Sequence, residues 1–336
     1  MIGQNLKAAA MAVAAALCFS FYLLVPFGDQ ARATEEWNFY MHQSAPNFAT
    51  SRGAKLFTEE VEKTTNGELK VRLHLAGTLQ ISASNITQAV GSNVVQIGDD
   101  LFNSGNIQVA GIPRLPMLIQ SYEDFAKADA VLKPYIEKAY KEKDSILLAS
   151  YTYPLQFIWG RKKLVSLDDI KGMKLRVAQP EQGEFVRRFG GTSITMSAPE
   201  VPSALDRGVV DGIFTAGVGA VLWKDLLKYG YVLIINVNNS YFIANAGAYS
   251  KLSPGLQAKI REVAQSSARW DQETMQKEEA ESVQVLTNAG YTFTKATSEE
   301  TARAVEAVKP YWDEWAKSRG PEITEALAKV RAALGR

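Results

Sequence analysis

The run Ser166-Leu167-Asp168-Asp169-Ile170-Lys171-Gly172-Met173-Lys174-Leu175-Arg176-Val177 decides how this chain is read, together with Glu200-Val201-Pro202-Ser203-Ala204-Leu205-Asp206-Arg207-Gly208-Val209-Val210-Asp211-Gly212. From Met173 to Val177 apolar and basic residues alternate. A strand there places Met173, Leu175 and Val177 on one face and Lys174 and Arg176 on the other. Helical patterns at 181–189 and 198–207 separate further strand patterns at 192–196 and 209–214, and such alternation implies a mostly parallel sheet. In open sheets of that kind ligands sit beyond the carboxyl ends of the strands. An arginine on such a strand keeps its charge and offers a planar fork that matches a carboxylate. Two readings of Arg176 compete on position alone. It pairs with an acid of its own chain, as partly buried arginines commonly do, or it clamps an acid from outside.

Working outward, residues 36–43 alternate as a first strand, 48–65 read as a helix stopped by Asn66-Gly67, and 69–75 alternate strictly as a second strand. A short helix at 82–90, a buried strand at 94–98, a helix at 122–143 and a strand at 146–153 follow. Beyond the opening run, a helix is expected around 221–229, with strands at 232–237 and 242–249. After Pro254 a helical stretch continues to about Asn288, long for one globular lobe. The tail, 298–336, reads as helical and broken near Gly320-Pro321.

At the N-terminus, Lys7, an apolar run over 8–27 and Ala31-Arg32-Ala33 have the layout of a secretory signal peptide, with cleavage expected after Ala33. The alternative is an uncleaved signal-anchor, since the run is long enough to span a bilayer. Leu17 and Phe19 flank Cys18 where a lipoprotein signal wants small residues. Cys18 is the only cysteine, so the mature chain would have neither disulfides nor thiolate metal sites. The net charge of +1 argues against a basic nucleic-acid-binding face. With only His42 and His74 available, metal sites and histidine-based catalysis have few possible members. No cofactor and no metal is expected.

The two quoted runs resemble the signature of the substrate-binding proteins of TRAP (tripartite ATP-independent periplasmic) transporters, the DctP family. The resemblance rests on Asp169 to Val177 and on Glu200 to Gly212, two long matches in the family's order and at about its spacing. It implies a two-lobed α/β periplasmic binding protein fold in which the long helix spans both domains. The expected organisation is a signal peptide at 1–33, domain I at 34–157 plus 244–273, and domain II at 158–243 plus 274–336. Pro113 to Leu118 resembles the family's Leu-Pro-Phe segment, with Met117 in place of phenylalanine. Two departures stand out. Leu155 occupies the place of a second arginine that many relatives carry, and Phe214-Thr215-Ala216 stands where relatives often have Glu-Asn-Pro.

The implied function is a periplasmic solute receptor that closes two lobes over a small organic acid and hands it to integral membrane subunits. Arg176 would hold the ligand's carboxylate. The departures suggest a more apolar wall and a monocarboxylate rather than a dicarboxylate. Of Phe157, Trp159, Phe214, Trp223, Tyr241 and Phe242, two are expected to touch ligand, with Phe157 and Phe214 best placed; Thr215 or Phe214 takes the family asparagine's place. From the first lobe Gln43, Asn47 and Asp99 follow strand ends, where a cleft finds its polar groups. Asn47 could instead cap the next helix, Asp99 could be a solvated loop carboxylate, and His42 is a possible hydrogen-bond donor. Asp211 and Gly212 are read as turn builders.

Two other functions share these features. A periplasmic sensor feeding a signalling receptor would use the same fold and pocket. An enzyme acting on organic acids has less support, because Asp168-Asp169 and Asp99-Asp100 are adjacent pairs whose side chains point apart. Gly217-Val218-Gly219 likewise lacks the third glycine of a dinucleotide fingerprint.

Overall fold

The computed structural model describes residues 34–336; the expected signal peptide, its cleavage site and Cys18 lie outside them. The first lobe opens with β1 (Glu35–Met41), α1 (Ala49–Thr64), β2 (Leu69–His74), α2 (Ile86–Gly91), β3 (Ile97–Asp99), α3 (Tyr122–Lys141) and β4 (Ser145–Thr152). The chain then crosses to β5 (Phe157–Gly160), β6 (Lys174–Val177), α4 (Pro180–Arg188), β7 (Thr192–Thr195), α5 (Val201–Asp206), β8 (Gly212–Thr215), α6 (Gly217–Leu222) and β9 (Tyr229–Val232). It returns through β10 (Asn239–Asn245), α7 (Ala246–Lys251) and the long α8 (Pro254–Asn288), and ends with β11 (Thr292–Lys295), α9 (Ser298–Lys317) and α10 (Pro321–Leu334).

Two sheets result, ordered β2-β1-β3-β10-β4 and β11-β9-β5-β8-β6-β7. β1 and β3 run parallel, as do β7, β6 and β8, while β10 lies antiparallel between β3 and β4. The expected domain boundary at 243/244 falls inside β10, whose Asn239 already pairs with Thr152 of the first lobe. The tail is shared between the lobes, because α9 packs on α4 whereas α10 packs on α3. One apolar core joins them, running from Tyr40 and Ile243 through Trp312 and Trp315 to Leu175 and Phe214.

Between β4 and β5, and again between β9 and β10, the chain crosses from lobe to lobe. These two crossings are bonded to each other. Tyr153 N donates to Asn238 O (2.7 Å), Gln156 N to Asn236 O (3.0 Å) and Ile235 N to Gln156 O (3.0 Å). That explains why the strand expected at 232–237 is absent as such: its backbone pairs with the other crossing instead of with a sheet. The helix expected near 221–229 begins earlier, at Gly217, because an acceptor on α8 waits there. Glu279 Oε1 accepts from Gly217 N (2.9 Å) and Oε2 from Val218 N (2.8 Å), so the carboxylate serves the free amides at the start of α6.

Helix α8 has 35 residues, so it is about 50 Å long at 1.5 Å per residue. It packs on α1 and β4 in the first lobe and on α6 in the second. Asp271 interrupts its buried face. The residue is 0% exposed, and neither carboxylate oxygen has a hydrogen-bond partner. It faces Gly53 of α1, where any Cβ would overlap Asp271 Oδ1. Burial drives its pKa well above the ordinary value; Asp99 nearby adds to this and Arg52 opposes it.

Two expectations follow from this helix. An acid whose pKa is raised on folding binds its proton more tightly in the folded state. Stability therefore falls as pH rises from the unfolded pKa toward the folded one. Asp271→Asn, which cannot ionise, should be more stable than the parent by about 1–3 kcal/mol at mildly alkaline pH. The advantage should shrink toward pH ~4 and level off below it, where the parent's acid is protonated in both states; thermal unfolding across pH measures both effects. Removing the α6 acceptor by Glu279→Ala should cost about 1–3 kcal/mol, with Glu279→Gln recovering part of it, read from urea midpoints at unchanged slope.

Candidate functional site

The opening run builds a scaffold around one side chain. Ser166 and Asp169 form a reciprocal cap, with Asp169 Oδ2 accepting from Val165 N (2.7 Å) and Ser166 N (2.9 Å). Gly172 turns the chain at φ +77°, a left-handed conformation suited to glycine, and its amide donates to Gly190 O at 2.9 Å. Asp211 Oδ2 accepts from Lys174 N (2.8 Å) and so seats the first residue of β6 beside β8. These residues set the register in which Leu175 and Val177 are buried and Lys174 is exposed.

Arg176 lies between β7 and β8 and is 3% exposed. Its Nε (3.0 Å) and Nη2 (2.8 Å) donate to Met196 O, and Nη1 donates to Phe214 O (3.3 Å). No carboxylate pairs with it among the described residues, and the nearby Glu200 is turned into its own cap with Ser197. A guanidinium has five N–H groups, so one on each terminal nitrogen is left over for a ligand. Burial pulls its pKa down to about 10, Glu200 opposing, which leaves a full cation at neutral pH. Of the two readings, the internal ion pair does not form: neutral carbonyls hold this guanidinium in place.

Arg176 faces a cleft of about 550 Å³, the solvent at its mouth included. Strand ends supply the walls. His42 and Gln43 follow β1, Leu101 and Phe102 follow β3, Tyr153 follows β4, Ala178 follows β6, and Thr215 with Ala216 closes β8. Phe48, Val218, Leu222 and Trp223 add apolar surface, and Gln156 and Asn238 come from the two crossings. The parallel-sheet rule therefore locates the site in both lobes at once.

Of the seven residues singled out from sequence, Arg176, Thr215 and Gln43 line this cleft. Gln43 Oε1 is committed to Ser44 N (2.9 Å) and Ala45 N (3.0 Å), holding the turn after β1. The other four lie elsewhere. Phe214 is fully buried and packs edge-on against Phe185, so its contribution to the site is its carbonyl. Phe157 is half-buried, packs against Trp159 at the edge of the second-lobe core, and is not among the residues lining the cleft. Asn47 borders a separate surface groove with Arg52, and its carbonyl accepts from that arginine at 2.5 Å. Asp99 is fully buried behind His42, where it receives Tyr151 Oη (2.8 Å) and the Ser240 hydroxyl. Of the six aromatics weighed in the second lobe, Trp223 alone lines the cleft.

Sequence reading missed Tyr153, Phe48, Phe102, Gln156 and Asn238. Tyr153 and Phe102 follow strand ends of the first lobe, a signal that was available, and Phe48 immediately precedes α1. Gln156 and Asn238 sit on irregular crossings whose mutual pairing no local pattern announces. Arg114 was also missed. It is wholly buried, and its guanidinium is saturated by Leu101 O, Asn239 O, Asn239 Oδ1, Asn103 Oδ1 and Ser104 Oγ, so it braces the loop carrying Leu101 and Phe102.

Residues 40–318 match the family described as bacterial extracellular solute-binding protein, family 7, or DctP. The C4-dicarboxylate-binding periplasmic protein DctP of Rhodobacter capsulatus is 26% identical over 311 residues, covering 88% of this chain and 90% of that protein. The sialic acid-binding periplasmic protein SiaP of Vibrio cholerae is 24% identical over 300 residues, covering 82% and 87%. Among solved structures, a Bordetella pertussis extracytoplasmic solute receptor binding pyroglutamic acid superposes with a TM-score of 0.83 at 22% identity, covering 89% of this chain and all of that one. A TRAP periplasmic solute-binding protein from Sulfitobacter with bound β-D-galacturonate gives a TM-score of 0.81 at 19% identity, covering 89% and 100%. With the match spanning most of its length and the two-lobed fold in common, this chain belongs to the DctP family of bacterial extracellular solute-binding proteins.

Proposed function

We propose that this protein is the extracytoplasmic solute receptor of a TRAP transporter and that Arg176 is its carboxylate anchor. The protein works in the periplasm, as its family does. Its ligand is a small organic acid, the class bound by solved relatives with pyroglutamate and uronates. One observation carries the anchor: a buried guanidinium in the cleft held only by neutral carbonyls, with an N–H free on each terminal nitrogen. A desolvated cation of this kind gains most from an anion brought to it, and a charge-assisted bidentate contact is worth about 1.5–3 kcal/mol.

Apolar residues dominate the remaining walls, and Arg176 is the one arginine or lysine among the residues lining the cleft. That supports a monocarboxylate over a dicarboxylate. The lobes would close over it by rotation about the crossings and deliver it to the transporter's integral membrane subunits. Binding and release account for this function, and no covalent step is assigned to any residue.

Arg176→Ala should weaken binding of the acids the parent binds by about tenfold to a hundredfold, corresponding to the lost contact. Arg176→Lys should fall between, because it keeps charge and loses the planar fork. Calorimetry with pyroglutamate, glucuronate and a set of short monocarboxylates measures this, with circular dichroism confirming that both variants fold. Undiminished affinity in the alanine variant would reject the anchor.

A further inference from the structure

The polar groups facing Arg176 from the first lobe and the crossings are arranged as acceptors. His42, 2% exposed, points Nδ1 at two atoms of Asp99: the main-chain oxygen at 3.2 Å and Oδ2 at 3.3 Å. Neither can donate. A carbonyl has no hydrogen, and the Asp99 carboxylate is already the acceptor for Tyr151 Oη and the Ser240 hydroxyl. Nδ1 therefore carries the ring hydrogen. Nε2 lies 2.8 Å from Tyr153 Oη, and in a neutral ring it is a bare lone pair. The Tyr153 hydroxyl must then spend its hydrogen on His42, and with the Thr50 and Tyr151 hydroxyls also beside it, it has at most a lone pair to offer the cleft that the residue lines.

A second, independent chain ends the same way. Gln156 Nε2 donates to Pro154 O at 2.7 Å, and a carbonyl partner fixes which end of that amide is nitrogen. Its Oε1 thus faces Asn238 and accepts from Asn238 Nδ2 at 3.4 Å. What remains is Asn238 Oδ1, a buried oxygen on the cleft wall with no partner. A buried acceptor without a donor is costly, and a ligand that supplies one recovers that cost.

We propose that Tyr153, oriented by His42 and Asp99, and Asn238, oriented by Gln156, select acids that carry a hydroxyl or N–H donor in addition to the carboxylate. Hydroxy acids and lactam or amino acids of one net carboxylate fit. An acid with a second carboxylate at that end meets two oxygens with no hydrogen to give. The proposal rests on Arg176 holding the carboxylate and names what the rest of the ligand must offer. Tyr153 and Asn238 touch ligand in this scheme; His42, Asp99 and Gln156 are positioning residues.

The test uses matched probes: 2-hydroxy-3-methylbutanoate, 3-methylbutanoate and isopropylmalonate, which differ in one substituent, and pyroglutamate against cyclopentanecarboxylate. In the parent the donor-bearing acid of each set should bind about tenfold or more tighter than its partners. Tyr153→Phe and Asn238→Leu should each erode that ratio. Equal binding of the donor-free acid, or tighter binding of isopropylmalonate, overturns the proposal. Arg176→Ala weakening every acid alike is the separate signature of the anchor, so the two ideas fail distinguishably. A ligand-free measurement stands beside this. The chain has two histidines, so nitrogen-15 histidine labelling with His74→Gln for assignment isolates the His42 ring. Hydrogen on Nδ1 with a bare Nε2 at neutral pH is expected, and the opposite tautomer or a doubly protonated ring overturns the proposal whatever the probes do.

Discussion

A charge removed from water must be compensated, and that of Arg176 is compensated only in part. Arg176 sits under the surface with two main-chain oxygens as its partners and no acid of its own chain, although Glu200 is near enough to be felt. The fold supplies such an acid elsewhere without difficulty: surface arginines such as Arg72 and Arg303 are paired. Leaving Arg176 short of an anion costs stability in the empty protein, and in the function proposed above that cost would return as affinity for an acid. Around that imbalance the rest is arranged. The turn at Gly172, the Asp211 seat and the Ser197–Glu200 cap all keep carboxylates occupied or strands in register, so that nothing internal reaches the guanidinium.

The first lobe presents the complementary chemistry. Where the second lobe offers N–H groups, the strand ends and crossings opposite offer oxygens whose hydrogens are committed elsewhere. The buried carboxylates behind them divide the work unequally. Asp99 is satisfied by two hydroxyls and a ring nitrogen, and Asp100 takes hydroxyls from Thr87 and Tyr140. Burial, its largest influence, still raises Asp100 to about 6. Asp271 has neither donor nor cation in contact, and it is the least comfortable group in the core.

Regular elements with a strong period were legible before the fold was known. The 35-residue helix, the β6 strand and the break at Gly320-Pro321 were all expected close to where they lie. Elements set by distant partners were not. Strand β11 is four residues long and exists because β9 lends it an edge. Helix α6 starts at Gly217 because Glu279, far along the chain, caps it there. The site shows the same division. Arg176 and Thr215 were picked out from the family motif and Gln43 from a strand end, and all three line the cleft. Phe214 was misjudged because its position in β8 points its ring into the core and its carbonyl toward the arginine, a distinction of direction that residue type cannot express. Tyr153 and Asn238 depend on hydrogen-bond chains two and three groups deep, which only coordinates reveal.

The pairing of the two crossings has a mechanical meaning. Three main-chain hydrogen bonds tie residues 153–156 to 235–238, so the two strands of chain linking the lobes form a narrow ribbon rather than two independent tethers. A ribbon bends readily across its flat face and resists shear along its length. With α8 as a stiff strut alongside, relative sliding of the lobes is suppressed and one angular coordinate remains. In the receptor proposed above, occupancy of the cleft would then be expressed as an opening angle, a quantity that can be sensed away from the bound molecule.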